Sequence, residues 1–358
     1  MKMRVSEIAG RFADRDLFLE RRGPDVEVTG IASVERPEAG QLVFADRPAL
    51  ADQALRGAPA CVVTTAEIAP RFSGRPEIAL LLTRNVKLAQ AFVTQAYAAM
   101  PPPGAEWRLV HPSAVIHETA ELDKTVRVGP YAVIGRKVRV GPHSIVAAHT
   151  VIEQEAVIGS DCVLHAHVYV GPGCRIGDRV VIKPGAVIGA EGFGFAQDGQ
   201  RRHHRIPQCG IVVIEDDVTI SANCTVDRAT FGETRIGRGS IFDTHCHVAH
   251  NVSVGEDCVI VAMSGISGSC RIGNRVIMSG QTGTIDHVNI TDDVVLVHRA
   301  GVTSDVTEPG MYAGGPIQPY AEYMRNVAAF RKLAELKRTV ARLEQALERR
   351  KHDGSEKA

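Results

Sequence analysis

The sequence predicts a mainly β protein built around a parallel β-helix, with a small N-terminal α/β domain and a C-terminal helical extension. A six-residue period occupies the middle of the chain, from residue 111 onward. Aromatic residues make up only 5% of the 358 residues, whereas glycines number 34. Few aromatics, abundant glycine and many β-branched residues are typical of a thin, repetitive β architecture.

The repeat can be read directly from the sequence. Starting at His111, the first units are HPSAVI, HETAEL and DKTVRV, and the frame continues to Ile188. The sixth position is aliphatic in all thirteen units, and the fourth is always small or β-branched. The frame resumes at Glu215, slips near Asp227 and continues from Gly237. Three such units form one triangular coil, in which the sixth residue points inward and successive coils stack as parallel strands.

Six of the eight cysteines occupy the fourth position of this repeat. That position takes a small buried residue, and an unpaired cysteine packs as a small hydrophobic side chain. We therefore expect these cysteines to be structural, and only Cys61 and Cys209 fall outside the pattern. The six are Cys162, Cys174, Cys224, Cys246, Cys258 and Cys270.

Residues 1–100 lack the repeat and predict a small α/β domain. The segments Val5–Phe12 and Val86–Tyr97 have the apolar spacing of helices. Two short apolar runs, Ala60–Thr64 and Ile78–Leu82, predict buried strands.

Breaks in composition indicate the other boundaries. The stretch Met100-Pro-Pro-Pro-Gly104 is stiff and non-helical, which places a domain boundary before a β-helix domain at 107–308. Within that domain, residues 190–210 do not follow the repeat. An insertion in a solenoid emerges as a loop on one face, often the binding face. Residues 309–358 form the predicted C-terminal extension.

The C-terminal extension combines a coiled-coil pattern with positive charge. Its apolar residues follow the alternating three- and four-residue spacing of a coiled-coil seam. They are Leu333, Leu336, Val340, Leu343 and Leu347. Residues 321–351 contain nine Lys and Arg against four Glu. Such a face is usually only solvated, but on a neutral protein it can also dock an acidic partner, and both interpretations remain open at this point.

Charge and hydropathy exclude several classes of function. Lys and Arg total 41, as do Asp and Glu, so no global electrostatic field favours nucleic acid. No apolar run is long enough for a signal peptide or a membrane span. We therefore expect a cytoplasmic protein. Nothing in the sequence requires a metal or a cofactor.

The densest group of chemically active residues is D-T-H-C-H-V-A-H-N, from Asp243 to Asn251. In an 18-residue coil, Gly268 stacks directly over His250, and His287 lies two coils and one residue further on. A base beside an accessible backbone N–H is what acyl transfer requires. The imidazole of His250 can take a proton from an amine or hydroxyl, while the Gly268 N–H stabilises the charge on a thioester carbonyl oxygen. Asp243 is a candidate to orient the imidazole.

Two other interpretations compete for these histidines. His245 and His247 can be ordinary turn and surface residues. Alternatively, the H-x4-H spacing of His245 and His250 can bind zinc at a subunit interface, as in γ-class carbonic anhydrases of this fold. That site needs a third histidine from an earlier coil, and the preceding coils offer none in register.

Several motifs together resemble one family. They are D-x6-H-N at 243–251, the G-F-G-F loop followed by I-P-Q, D-R-A at 227–229 and E-P-G-M-Y-A-G-G-P at 308–316. This set, which extends over nearly the whole chain, resembles the UDP-3-O-(3-hydroxyacyl)glucosamine N-acyltransferases of lipid A synthesis. Each motif alone is weak, but the combination is specific.

The resemblance implies a left-handed β-helix, a homotrimer with three active sites between neighbouring protomers, and a 3-hydroxyacyl chain donated by acyl carrier protein. The implied acceptor is the 2-amino group of a UDP-linked, 3-O-acylated glucosamine. The family's general base matches His250, its second active-site histidine matches His287 and its oxyanion donor matches Gly268, while Asn251 falls in the substrate-binding pattern. Because acyl carrier protein is acidic, the resemblance favours docking on the basic C-terminal helix.

The chain also departs from the family. The uracil motif F-x-x-N-P-x-Y reads Phe44-Ala-Asp-Arg-Pro-Ala-Leu50, so Arg47 replaces the asparagine and one stacking aromatic is lost. Arg47 can instead contact phosphate. The glycine that usually precedes the second histidine is Asp286, and its carboxylate is expected to favour the protonated form of His287. The acyl-length ruler aligns near Gly301, which leaves room for a longer chain.

Two further functions stay open beside the N-acyltransferase. One is a sugar-nucleotide acyltransferase with a different acceptor or a short acyl-CoA donor. The other is a non-catalytic scaffold, in which the β-helix only positions the flanking domains.

Overall fold

The structure is a computed structural model that describes residues 2–98, 101, 103–313 and 320–355. The chain divides into two compact units, Met1–Pro102 and Pro103–Ala358. Met100 and Pro102 of the proline-rich break lie outside the described residues, as do residues 314–316 of the E-P-G-M-Y-A-G-G-P motif.

The first unit contains a five-stranded sheet covered by helices. In spatial order its strands are Glu20–Arg22, Ala79–Leu82, Cys61–Thr64, Gln41–Ala45 and Gly30–Ile31. A separate antiparallel pair joins Met3–Arg4 to Glu27–Val28. The helices are α1 (Val5–Arg11), α2 (Pro48–Arg56) and α3 (Val86–Tyr97), with 3-10 turns at Ala13–Arg15 and Ala69–Phe72.

The predicted elements of this unit agree with the observed ones to within one residue at each end. Both predicted strands are fully buried, because each lies between neighbours in the sheet. The sequence interpretation missed α2 and the strand Gln41–Ala45. A proline at the first helical position is a helix-start signal, and the Arg47-Pro48 pair supplied it.

Three parallel sheets form the sides of a β-helix in the second unit. Sheet 1 consists of Val115–Ile116, Val133–Ile134, Val151–Ile152, Tyr169–Val170, Val187–Ala190, Thr225–Asp227, His247–Val248, Gly265–Ile266, Gly283–Thr284 and Gly301–Val302. Sheet 2 consists of Glu121–Leu122, Arg139–Val140, Val157–Ile158, Arg175–Ile176, Ile211–Ile214, Glu233–Ile236, Ser253–Val254, Arg271–Ile272 and Asn289–Ile290. Sheet 3 consists of Arg127–Val128, Ile145–Val146, Val163–Leu164, Val181–Ile182, Thr219–Ile220, Ile241–Phe242, Val259–Ile260, Ile277–Met278, Val294–Leu296 and Gly310–Tyr312.

The strand register confirms the predicted period and inward pattern. Val133 pairs with Val151, 18 residues further along the chain. The aliphatic sixth residues fill the interior, as Ile152 and Ile182 do at 0% exposure. All six cysteines of the fourth position are buried and unpaired. The predicted fold class, a β-helix of hexapeptide repeats between an α/β domain and a helical extension, is confirmed.

Two insertions interrupt the regular register, both below the coil that carries His250. Ile188 pairs with Val226, 38 residues on, because the predicted loop at 190–210 lies between them. Val226 in turn pairs with Val248, 22 residues on, which accounts for the slip near Asp227. The long loop folds as a hairpin, in which Phe195–Gln197 pairs antiparallel with His203–Arg205.

The extension contains the helices α4 (Tyr320–Arg331) and α5 (Leu333–Ser355). The five apolar residues of the predicted seam are all exposed in the single chain, by 44% to 60%. Among the described residues the seam is therefore an apolar stripe on α5 with no partner. No helix in the described parts of the chain has the length and hydropathy needed to cross a bilayer.

Candidate active site

The candidate site lies at one corner of the β-helix, between sheet 1 and sheet 2. This corner, named here the His250 corner, consists of the stacked turns 250–251, 268–269 and 286–287. The second residue of each turn has a positive φ, as at Asn251 (60°) and His287 (61°). Asparagine tolerates this left-handed conformation better than most residues, which suits it to the turn after His250.

The imidazole of His250 lies against the backbone of Gly268. A Cβ atom placed on Gly268 would come within 2.8 Å of Cε1 and 2.9 Å of Nε2 of that ring. Only a glycine therefore lets the base approach the next coil this closely. On its other side, a Cβ on Gly192 would lie 2.8 Å from the His250 Cβ, so the inserted loop also packs against the base.

The hydrogen bonding of His250 suits a general base. Its Nδ1 lies 3.3 Å from Oδ1 of Asn251, and an amide oxygen can only accept a hydrogen bond. This contact requires the proton on Nδ1, which leaves the lone pair of Nε2 available. Among the described residues none forms a hydrogen bond with Nε2. Nε2 is therefore the atom placed to receive a proton.

Both ends of the Asn251 amide form hydrogen bonds within the protein. Its Oδ1 accepts from the backbone N–H of Thr230 at 2.9 Å, and its Nδ2 donates to the carbonyl of Phe231 at 3.0 Å. Asn251 also lines a polar cleft on sheet 2, and its expected role in substrate binding stays a prediction. Its contacts tie the loop after Asp227 to the His250 turn.

The N–H of Gly268 is not open. It donates to Oδ1 of Asp286 at 3.1 Å. Comparable bonds join the coils elsewhere, as when Ser160 N–H donates to Asp178 and Asn274 N–H donates to Asp292. In these three turns the N–H is directed at a carboxylate of the next coil, and at Gly268 that carboxylate is Asp286. An acyl oxygen can reach the Gly268 N–H only after the Asp286 carboxylate has moved.

The structure does not join Asp243 to His250 within one chain. Oδ1 of Asp243 accepts from the N–H of Thr244 at 2.8 Å, at a different corner of the coil. The carboxylate that does face the imidazoles is Asp227, which is only 8% exposed and lies 3.8 Å from Nε2 of His247. Burial raises the pKa of Asp227, and the nearby His247 and His250 oppose that shift.

Asp227 was missed as a site residue, although the register contained the signal. Val226 pairs with Val248. Asp227, the residue after Val226, therefore lies one coil below the segment that leads into His250. Val226 and Val248 are 22 residues apart instead of 18, so a count in units of 18 does not place Asp227 beside this segment. His247 lies in the same group, with its Nδ1 2.7 Å from the hydroxyl of Thr225.

A cleft of about 430 Å³ opens beside the base. We call it the His250 cleft, and its lining includes Phe193, His247, His250, Gly265, Gly268 and Asp286. Phe193 comes from the inserted loop and is 83% exposed. The site therefore joins a base, a backbone N–H bonded to Asp286 and an exposed aromatic side chain.

His287 faces a different cleft. Its side chain lines a polar cleft on sheet 2 together with Arg235, Asn251 and Arg271. The sequence correctly predicts that His250 and His287 share one edge, since His287 N–H donates to the carbonyl of Gly268 at 3.0 Å. The two clefts nevertheless open on opposite sides of this corner.

A column without side chains runs along sheet 1 from the His250 cleft. His247 pairs with Gly265, Gly265 with Gly283, and Gly283 with Gly301. A Cβ on Gly265 or Gly301 would have no neighbour within 4 Å. Gly301 lies at the far end, where it lines a second cleft with Leu296 and Tyr312.

The first unit contains the other two predicted site residues. Phe44 is packed into the core at 9% exposure, so its ring offers little surface for stacking. Arg47 precedes α2, and its side chain is 69% exposed. Between them, Oδ1 of Asp46 is buried and forms no hydrogen bond among the described residues, although Nε of Arg47 lies 4.0 Å away as an ion-pair partner. A buried acceptor without a donor is costly, and a ligand N–H would satisfy it.

Comparisons with known proteins found a family model, curated relatives and solved structures that are similar to this chain. The family described as bacterial transferase hexapeptide (six repeats) matches residues 155–190. The UDP-3-O-acylglucosamine N-acyltransferase of Methylococcus capsulatus is 49% identical over 97% of this chain and 98% of that protein. The enzymes of the same name from Bordetella avium and Pseudomonas syringae are 44% and 35% identical, over 89% and 92% of this chain and 90% and 92% of theirs. The solved LpxA structure from Acinetobacter baumannii is 26% identical, covers 61% of this chain and 77% of its own, and has a TM-score of 0.44.

Proposed function

Because this chain belongs to the UDP-3-O-acylglucosamine N-acyltransferase family and is therefore an acyltransferase, we propose that it transfers a 3-hydroxyacyl chain from acyl carrier protein to the 2-amino group of a UDP-3-O-acylglucosamine in lipid A biosynthesis. The observation that carries this proposal is the placement of His250, whose free Nε2 lies against the backbone of Gly268.

In the proposed reaction the neutral amine of the acceptor attacks the thioester carbonyl carbon. Nε2 of His250 removes a proton from the attacking nitrogen, and negative charge develops on the carbonyl oxygen. When the tetrahedral intermediate collapses, the C–S bond breaks and the thiolate of the carrier leaves with the proton held by His250. Asp227 stabilises the imidazolium that exists between these two transfers, since it is the buried carboxylate nearest to both imidazoles.

The Gly268 N–H is the proposed oxyanion donor, and Asp286 competes with the substrate for it. A preorganised N–H stabilises the charge that develops during acyl transfer. Here the carboxylate of Asp286 occupies the donor, so it has to turn aside when the thioester binds. This exchange costs free energy that a smaller residue would not require.

We expect Asp286→Ala to raise kcat/KM for the thioester donor by about fivefold, because exposing the donor recovers on the order of 1 kcal/mol of hydrogen bonding. Steady-state kinetics would measure this. Asp178→Ala is the matched control, since it removes the same kind of coil-to-coil bond far from His250 and should not change kcat/KM. A lower kcat/KM in Asp286→Ala would show that Asp286 assists the substrate instead of competing with it.

The glycine column is the proposed acyl-chain groove. It begins at the His250 cleft and spans three strand spacings from His247 to Gly301, or about 14 Å. Its absence of side chains leaves room for an extended hydrocarbon chain against the sheet. Gly301 at the far end is then the residue that limits acyl length.

Filling the far end of this column should shorten the preferred acyl chain. We expect Gly301→Met to favour shorter donors, because the methionine side chain occupies space that the end of the chain would use. Mass spectrometry of the products from a mixed pool of hydroxyacyl carrier proteins would show the shift. Val115→Met is the control at the opposite end of sheet 1 and should leave the product distribution unchanged. An unchanged distribution for Gly301→Met would remove Gly301 from the acyl site.

The acceptor's nucleotide is proposed to bind in the first unit. Arg47 is exposed and can pair with a phosphate. Oδ1 of Asp46, which forms no hydrogen bond among the described residues and lies 4.0 Å from Nε of Arg47, can accept the N–H of a uracil. Phe44 lies in the strand Gln41–Ala45, two residues before Asp46, and packs into the core of this unit. His287, on the polar cleft of sheet 2, is proposed as the second active-site histidine.

Partners follow from the surfaces that remain uncovered. The exposed apolar stripe on α5 and the surplus of Lys and Arg in residues 321–351 support a homotrimer and an acidic carrier protein, respectively. We propose a cytoplasmic location, because the proposed donor protein and the nucleotide-linked acceptor are cytoplasmic.

The donor assay tests the proposed function. The protein would be incubated with UDP-3-O-acylglucosamine and with either long-chain hydroxyacyl carrier protein or acetyl-CoA, and amide formation would be followed by mass spectrometry. Amide formed only with the carrier-bound chain supports the proposal. Turnover with acetyl-CoA alone would identify a short-chain sugar-nucleotide acyltransferase, and no turnover with any thioester would favour a scaffold.

A further inference from the structure

A buried amide in the inserted loop is connected to the base by a chain of hydrogen bonds. Gln208 is only 5% exposed, although glutamine is usually a surface residue. Its Oε1 accepts from the hydroxyl of Thr230 at 2.8 Å, and its Nε2 donates to the carbonyl of Ile206 at 3.0 Å. The backbone N–H of Gln208 donates to Oε1 of Glu191 at 3.2 Å. Gln208 thus ties the two ends of the loop to the segment that contains Thr230.

The same segment is tied to the His250 corner. The N–H of Thr230 donates to Oδ1 of Asn251, and that oxygen lies 3.3 Å from Nδ1 of His250. The order of contacts is therefore Gln208, Thr230, Asn251 and His250. Gly192, from the same loop, supports the base from the other side through its contact with the His250 Cβ.

We propose that Gln208 is a positioning residue for the catalytic reaction, which acts on the tautomer and orientation of His250 through Thr230 and Asn251. This inference rests on the proposed function of His250. Gln208 does not line the His250 cleft, so it does not touch the substrate. Gln208 fixes the hydroxyl of Thr230, and this keeps the Thr230 N–H bonded to the side-chain oxygen of Asn251. That oxygen then keeps the proton on Nδ1 of His250. Nε2 stays unprotonated and directed toward the amine.

The test is a double-mutant cycle with Gln208→Met and Thr230→Val. Each removes its side of one hydrogen bond while keeping the volume of the side chain. We expect each substitution to lower kcat by about tenfold, with the KM of both substrates nearly unchanged, because misplacing a base affects the transition state more than binding. The double variant should be no slower than either single variant, since both break the same contact. Thr230→Ser, which keeps the hydroxyl, should restore kcat.

Two further measurements separate positioning from general stability. In ¹⁵N spectra of the histidine rings, the signal lost in His250→Ala identifies His250, and Gln208→Met should move that signal toward a mixture of tautomers. In a His250→Ala background, Gln208→Met should lower kcat no further. Thr150→Val removes a different buried hydroxyl bond and serves as the control, with wild-type kcat expected.

The outcomes distinguish this inference from the proposed function. If His250→Ala keeps wild-type turnover, the proposed base is wrong, whatever Gln208 does. If His250→Ala is inactive but Gln208→Met and Thr230→Val keep wild-type kcat and the wild-type ring signal, only the positioning role is overturned. If Gln208→Met does not fold, the comparison of Thr230→Val with Thr230→Ser decides the question, because equal loss in both variants would overturn the inference.

Discussion

Replacing His250 by alanine is expected to lower kcat by on the order of 10²-fold or more, the usual contribution of a general base. Nε2 is free of protein partners among the described residues, so no other group would receive the amine proton at that point. The KM of the acceptor should change little, because the base acts in the transition state.

The control for this experiment is His143→Asn. His143 also occupies a corner turn with positive φ (59°), but on a distant coil, and asparagine suits that conformation. It should keep wild-type kcat and the wild-type unfolding temperature. Should His250→Ala turn over at the wild-type rate, the base has to be sought elsewhere, first at His247 in the same cleft.

The second large effect is expected for Gly268→Ala. The added Cβ would overlap the His250 ring, at 2.8 Å from Cε1, so the imidazole has to move away from the coil above it. A displacement on the order of 1 Å at a catalytic group costs about 10²-fold in rate. We therefore expect kcat to fall by about 10²-fold while the β-helix remains folded.

Gly280→Ala is the matched substitution, because its nearest contacts are at an ordinary 3.5 Å. Steady-state kinetics with thermal unfolding of both variants would separate a local steric effect from instability. Wild-type kcat in a folded Gly268→Ala protein would contradict the contact between base and backbone on which the mechanism depends.

The periodic part of the fold could be predicted from the sequence because each coil repeats the same physical requirement. Every unit needs a small or β-branched fourth residue and an aliphatic sixth residue, so all thirteen units indicate the same structure. The same register correctly predicted that Gly268 stacks over His250. In a periodic chain, spacing alone is enough to identify which residues are neighbours.

The parts that were missed lie where the period fails. The stretch from Ile188 to Val248 contains both insertions, and across it the count in units of 18 loses its meaning. Asp227 was therefore not recognised as a site residue, while Asp243, which lies at a different corner of the coil, stays a prediction. The contact between Gln208 and Thr230 joins the two insertions to each other, and no periodicity specifies such a contact. The bond from the Gly268 N–H to the Asp286 carboxylate likewise depends on a side-chain rotamer, which the spacing of residues does not determine.

The glycine column has the same repeat as the coils, with one residue per coil in register. Its usable length can therefore change only in whole steps of about 4.8 Å, according to which coil carries the first side chain. A side chain at Gly283 would shorten the groove by one step more than a side chain at Gly301. If the column binds the acyl chain as proposed, we expect selectivity for chain length to be discrete, so that a single substitution shifts it by several methylene groups at once.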